Sequence, residues 1–577
     1  MAIASKKSRR TVASAAVFVA LLAGLAATNF YIAQHRKLHL ISGLAAPVVV
    51  SIDGGAPTTL SGPFPTTVPI AEGKHHVAVS GGLSEELDID VSTGYFERYF
   101  SAPVFLLNPG GTSLLTHETV VYTQNPLPGG GGSSVYRFGE SYLKLPHVDY
   151  VFAPFPKTIT SETHSSETRS RVGLVEESVA QVIVHLLSEK KDDEAIRIAE
   201  WDLKLHPEDT RTLELYAAVI SGTENAARAR AFIQDRCKRR PVEIEWHRVL
   251  QQMSATEMER GELIAEYDQE LAKDPNNAAL LYLRGLICRN GVRARPLFEQ
   301  SIAKDPKLPW PHAALGQYYG ARADWTKARP HLEAAHQLAP DNEDFTDLFD
   351  DARVALGEFA ALETDLRRAL TANPGDVKLS THLCDVLIAQ KKNDEARTLA
   401  ENYEALLSSQ EGSDGLALGR GLHEYVLYAI GDFPLLEKTA PKGTNLQFQA
   451  LFELGKLKEL GELSPLKLQA EPFWCLAMSA AWKDAGDDAN AKAWREKAAE
   501  IFALAPDGSR ASALLRSVQP PTLDAVADLG LSAKQEATLL AVLAQLFPDR
   551  ADEFRTAGRA LNYDYAFPHH FLLRALK

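Results

Sequence analysis

Six prolines, Pro207, Pro241, Pro275, Pro306, Pro340 and Pro374, stand at intervals of 34, 34, 31, 34 and 34 residues. No other feature restricts the fold of this chain so strongly. Proline lacks a backbone N–H and disfavours helix at the residue before it. Most of the ladder prolines close a helical pattern, as in Leu205-His206-Pro207, Lys273-Asp274-Pro275, Leu338-Ala339-Pro340 and Ala372-Asn373-Pro374. Each therefore marks a joint between one helical hairpin and the next. Pro296, Pro309, Pro311 and Pro330 lie off the ladder, where helix starts are expected and proline is tolerated.

Inside one period, Leu315, Gly316 and Tyr319 are expected on a first helix, and Ala328, Leu332 and Ala335 on a second, before Pro340. Gly316 and Ala328 let two backbones approach, while Tyr319 and Leu332 fill the remaining space. Small residues recur at the Ala328 offset in Ala195, Ala229 and Ala294, and Gly285 pairs with Phe298 in the same way. This pattern resembles the tetratricopeptide repeat, a stack of antiparallel helix pairs of 34 residues. Leu263 and Leu362 depart from it, standing where a small residue is expected. The resemblance assigns residues 171–410 to a mainly α, TPR-like α-solenoid and residues 411–520 to degenerate repeats. These include a hairpin built on Ala480, Ala481 and Trp482, then Ala491 and Ala498 to Pro506. Residues 521–577 read as a helical cap, because an end repeat exposes an apolar face, with docking onto a partner as the alternative. The resemblance also implies that a protein or peptide partner docks on the concave surface, on side chains of first helices such as Tyr282, Gln317 and Asp385.

The N-terminal part is different. Lys6, Lys7, Arg9 and Arg10 precede an uncharged run from Thr11 to Ala33, long enough as a helix to cross roughly 30 Å of hydrocarbon. An uncleaved anchor in residues 1–38, a cleaved secretory signal and a buried globular helix all fit the run, and the anchor is preferred because no Ala-x-Ala site closes it. The basic residues before the run favour a cytoplasmic N-terminus, with the chain after about residue 40 outside the cytoplasm. Residues 39–159 alternate in short runs punctuated by Gly and Pro: Val48–Ile52, Thr66–Ile70, His75–Val79 and Leu87–Val91. They suggest a small antiparallel sandwich or barrel. Residues 47–91, with VVVSIDGG and PIAEGKHHVAV, resemble the PEGA-type β module of bacterial envelope proteins. Aromatic residues from Tyr136 to Phe155 interleave with polar ones, as on a half-buried sheet. The Gly-rich run 128–134 lacks the Gly-Lys-Ser/Thr of a phosphate cradle and reads as a flexible loop, and the polar stretch 160–170 reads as a linker.

Signals for chemistry are few. A net charge of −14, from 61 Lys and Arg against 75 Asp and Glu, argues against nucleic acid as a main partner. Cys237, Cys288, Cys384 and Cys475 are widely spaced and read as small buried residues. Arg236 to Arg240 surround Cys237 with cations, which suits a helix C-terminus or, alternatively, an activated thiol or an anionic partner. His117-Glu118 lacks the second zincin histidine, His75 and His76 fall on opposite strand faces, and His569-His570 lack a spaced third ligand. The sequence therefore assigns no catalytic residue, cofactor or metal. It points to a membrane-anchored, non-enzymatic scaffold or adaptor for protein–protein interactions at a bacterial inner membrane. A wall-associated spacer and an envelope glycan-modifying enzyme are the alternatives.

Overall fold

The computed structural model describes every residue except 1–5, 63, 96, 101–102, 124–131, 160–165, 221–225, 255, 289, 409–412, 464–469 and 505–507. Most of the Gly-rich run 128–134, the first half of the expected linker, and Ala505 and Pro506 of the late hairpin lie outside the described residues. Two compact units form, residues 1–229 and residues 230–577.

In the first unit, helix α1 (Lys6–Gln34) is one continuous rod of 29 residues. Its stretch Val17–Gln34 is long and apolar enough to cross a membrane, and only 6% of it is buried. Phe18, Leu21, Leu25 and Phe30 stand open to the surroundings, which excludes the buried globular helix. Its C-terminal end is tied down. Asn29 Nδ2 donates to Tyr95 O at 3.2 Å, the Glu72 amide donates to Ala33 O at 2.8 Å, and the Arg98 guanidinium joins Asn29 Oδ1 to the Glu72 carboxylate. Arg36 adds a 3.7 Å contact to Glu72.

Twelve described strands follow: β1 (Arg36–Leu40), β2 (Val48–Ile52), β3 (Thr58–Leu60), β4 (Thr66–Ile70), β5 (Gly73–Gly81), β6 (Glu85–Val91), β7 (Val104–Leu107), β8 (Leu115–Thr123), β9 (Ser133–Arg137), β10 (Tyr142–Leu145), β11 (Tyr150–Val151) and β12 (Ser166–Leu174). They make three four-stranded sheets in the orders β10-β7-β1-β4, β3-β2-β5-β6 and β11-β12-β8-β9. The inward side chains Leu38, Leu40, Val48, Val50, Val77, Ile89, Phe105 and Leu107 of the first two sheets share one core. The arrangement is mixed and not the antiparallel one expected, because β1 pairs parallel with β7 and β11 parallel with β12. Strand β12 also corrects the boundary between linker and helices. Residues 166–174, read as linker and first repeat, pair in full register with β8. Their polarity hides the strand in the sequence, since Arg169 and Arg171 are there to meet Asp149, just before β11, and Glu118 on β8, at 3.0 and 2.8 Å. His75 and His76 do point apart, each to its own carboxylate, Asp53 at 2.7 Å and Asp88 at 3.0 Å.

After the one-turn helix α2 (Glu97–Phe100), helices run in pairs: α3 (Val179–Ser188) with α4 (Asp192–Leu205), and α5 (Thr210–Ile220) with α6 (Ala226–Cys237). Next come α7 (Ile244–Gln252) with α8 (Glu257–Lys273), α9 (Ala278–Leu286) with α10 (Gly291–Lys304), and α11 (Pro309–Gly320) with α12 (Trp325–Leu338). Then follow α13 (Glu343–Ala355) with α14 (Phe359–Ala372), and α15 (Val377–Ala389) with α16 (Asn393–Ser408). All six ladder prolines fall in joints between pairs and none inside a helix. Pro309 takes the first helical position, but Pro296 and Pro330 lie in the interior of α10 and α12, deeper than a helix-start role implies. The irregular region is α17 (Ser413–Ala429), α18 (Phe433–Thr439), α19 (Asn445–Glu453) and α20 (Leu457–Leu463), followed by the late hairpin α21 (Pro472–Asp484) and α22 (Asp488–Leu504). Five more helices end the chain: α23 (Ser509–Arg516), α24 (Leu523–Ala527), α25 (Ala533–Leu546), α26 (Ala551–Leu561) and α27 (His569–Ala575).

The close helix approach rests on the residues the period singles out. A Cβ on Gly316 would sit 2.1 Å from Leu332 Cδ2, and one on Gly285 would sit 2.5 Å from Phe298 Cε1. Ala328, Leu332 and Ala335 are buried beside them. Gly316→Val is expected to cost about 1–3 kcal/mol or more through overpacking, whereas Gly375→Ala, in open space, is expected to be near neutral. Chemical denaturation of the two variants checks this.

Candidate functional site

The first helices of successive pairs form one face of the second unit, where the repeat pattern implies a docking surface. Side-chain caps set their starts. Asn342 accepts from the Phe345 amide at 3.2 Å, and Asp376 from the Leu379 amide at 3.0 Å. Much of this face is covered by the chain's own last 55 or so residues, which contact it along its length and also pack on the late hairpin α21 and α22.

At α11 the Arg322 guanidinium pairs with Asp524 and Asp528, each at 2.7 Å, and stacks on Tyr318. Trp325 Nε1 donates to Ala560 O at 3.1 Å, and its ring meets Tyr563 edge-on at 5.1 Å. Tyr563 hydrogen-bonds Asp351 on α13, and Tyr565 packs among residues of α14 to α17. Further along, the His570 Nε2–H donates to Ala429 O at 3.0 Å. Phe567 stacks on Trp474 at 5.1 Å. Glu453 on α19 accepts from the Phe571 amide at 3.2 Å, from Arg574 at 2.9 Å and from the Tyr428 hydroxyl at 2.9 Å. Inside the covering segment, Lys534 is buried and bonded to Asn562 Oδ1 and to Asp564.

The three residues expected to touch a partner separate here. Tyr282 and Gln317 meet in a groove of about 260 Å³ together with Arg248, Trp310, Asp344 and Asp347. Tyr282 is buried and stacks on Trp310 at 6.2 Å, Trp310 carries the Arg248 guanidinium at 3.9 Å, and Gln317 is exposed. Asp385 lies elsewhere, accepting a 2.6 Å hydrogen bond from the Tyr425 hydroxyl. Several groups the sequence weighed as chemical have partners within the fold. Burial, together with Glu266 and Glu243, pushes the Cys237 thiol up to about 12, which disfavours the thiolate. Arg236 is engaged by Glu243 and Arg240 by Glu270. Burial brings His569 down to about 3, with Asn562 at 3.2 Å from its Nδ1.

The sequence did not single out a cavity of about 720 Å³ between helices α9 to α13 and the C-terminal helices. Its wall carries Asp351, which burial raises to about 7, and Glu536, which burial raises to about 8. Burial also raises Asp385 to about 7. No local motif could reveal Asp351 and Glu536, because the groups they face, Tyr563 and Arg322, lie about 200 positions away in the chain.

The fold defines a TPR-like helical-repeat protein with an N-terminal apolar helix and small β-sheets. No protein-family model matches the chain, and no curated protein matches its sequence. Similar solved structures include the APC/C hetero-tetramer Cut9–Hcn1, at 13% identity and TM-score 0.22, covering 69% of this chain and 96% of that one. A human IFIT1 dimer with m7Gppp-AAAA is similar at 14% identity and TM-score 0.30, covering 67% and 90%. Yeast Tom70 is similar at 12% identity and TM-score 0.23, covering 69% and 93%. At these values the likenesses carry no argument about function.

The raised carboxyls have a consequence for stability. A carboxyl whose folded pKa lies above its unfolded value stabilises the fold fully below the unfolded value, about pH 4, and that stabilisation is lost as pH rises through the folded value. His569 and His247, lowered to about 3 and about 4, change the balance only below about pH 6.5. The melting temperature of the helical unit is therefore expected to fall between about pH 6.5 and pH 8. The double variant Asp385→Asn, Glu536→Gln should flatten that fall, as thermal melts across the range would record.

Proposed function

We propose that this protein is a membrane-anchored, non-enzymatic helical-repeat scaffold of a bacterial cell envelope, holding a protein partner through the uncovered part of its first-helix face. The observation that carries the anchor is the apolar helix α1, exposed along Val17–Gln34 and joined to the β module through Asn29, Arg98 and Glu72. A segment of this kind needs apolar surroundings for its exposed side chains. Loss of the segment in a cleaved signal would strip the module of those contacts. The PEGA-like stretch 47–91 supports an envelope setting, and the basic residues before the span support a cytoplasmic N-terminus with the folded units outside.

The partner contact is assigned to the Tyr282, Trp310 and Gln317 groove. It joins a stacked aromatic pair to exposed polar groups, the mixture that interface anchors favour. Gln317 stands at its rim, and Tyr282 is the buried support of Trp310. Asp385 has no such role in this reading, because Tyr425 already engages it. A second reading, a wall-associated spacer, is favoured by one observation: the chain's own C-terminal segment occupies much of the face a peptide would use.

A photocrosslinking amino acid at position 317, in membranes of cells making the full chain, is expected to yield a discrete protein adduct, and one at position 385 is expected to yield none. Adducts at neither position would favour the spacer. In the same membranes the protein is expected to resist alkaline extraction and to retain residues 17–34 by mass. Release with a mass that lacks them would contradict the anchor.

A further inference from the structure

The geometry points to a ligand site for an alkylammonium compound, a primary amine on an apolar stem, in the 720 Å³ cavity between helices α9 to α13 and the C-terminal helices. That volume lies in the range of small-molecule sites, roughly 300–1,000 Å³.

The charge arrangement selects the class of ligand. The cations on the wall are already engaged: Arg322 by Asp524 and Asp528, Lys534 by Asn562 and Asp564, and Arg510 by Asp528 O at 3.0 Å. The acceptors are not all engaged. Glu536 is 3% exposed, faces this cavity and the adjoining one, and its carboxylate makes no hydrogen bond or ion pair with any described residue. An isolated carboxylate removed from water is costly unless it is protonated or given a counter-charge. An ammonium group supplies that charge and up to three donors. Asp351, held by Tyr563 alone among the described side-chain donors, offers a second acceptor across the cavity. The Trp325 ring on the wall suits a cation, and Leu332, Leu348 and Leu561 suit a short alkyl stem.

Binding an ammonium should expel protons at neutral pH, because Glu536 and Asp351 hold theirs near neutrality while the cavity is empty. Around Glu536 the charged groups are Arg322 and Asp528, with Asp524, Arg550 and Glu553 lining the adjoining cavity. Around Asp351 they are Tyr563, Asp564, Asp347 and Asp350. Among the described residues, the cations named around Glu536, Arg322 and Arg550, already pair with carboxylates.

The test is calorimetric titration of the full chain in detergent with butane-1,4-diamine, beside the neutral butane-1,4-diol. The expected result is saturable binding of the diamine alone, with proton release shown by heats that differ between buffers of different ionisation enthalpy. Glu536→Gln should weaken it about tenfold or more. Asp351→Asn should weaken it independently, and keeps the test open if the first variant does not fold. No saturable diamine binding, equal binding of the diol, binding unchanged in both folded variants, or binding without proton release would each overturn the proposal.

Discussion

The cover laid by residues 523–577 over the first helices is the interaction on which the second unit depends. A stack of helix pairs leaves the side chains of its first helices facing open space, and an end pair leaves a whole apolar surface unpaired. Here both needs are met by one segment. Phe567, Phe571 and Leu572 extend the core built by Phe452, Trp474 and Leu476, and helix α25 contributes Leu539, Leu540 and Leu543 to the same core. Polar contacts at Arg322, Trp325, Ala429 and Glu453 fix the segment's register along the face.

That cover creates the titratable groups of the unit. Asp351, Asp385 and Glu536 are raised by burial between elements remote in the chain, and Lys534 is lowered by burial, with Asp564 and Asp385 opposing the shift. The same packing divides the first-helix face into two parts. Around Asp385 and Tyr425 it is engaged, while around Trp310 and Gln317 a groove stays open. The open groove and the cavity thus both depend on the course of residues 523–577 along this face.

The sequence disclosed the local part of this design. Proline at the joints and glycine opposite Leu332 and Phe298 act through neighbours one helix away, so their spacing is visible in one dimension. Alternation in Val48–Ile52 and Thr66–Ile70 likewise reports strands directly, because one face of each must be apolar. Strand β12 was hidden because cross-strand ion pairs gave it the composition of a linker. The parallel pairing of β1 with β7 joins residues about 65 positions apart and leaves no periodic trace. The course of residues 523–577 was hidden for a stronger reason. An amphipathic helix has the same pattern whether it caps an end or lies along a face. Asp385 was picked out by its place on a first helix, and only the fold reveals that Tyr425 already holds it.

Native-state hydrogen exchange on the full chain tests the dependence most directly. If the cover and the first helices are one cooperative body, amides of 533–546 and 551–561 will open with the same free energy as those of 309–320 and 472–484. Rapid exchange across the last 55 or so residues, with the helix pairs still protected, would show that the array stands without its cover and would contradict the account.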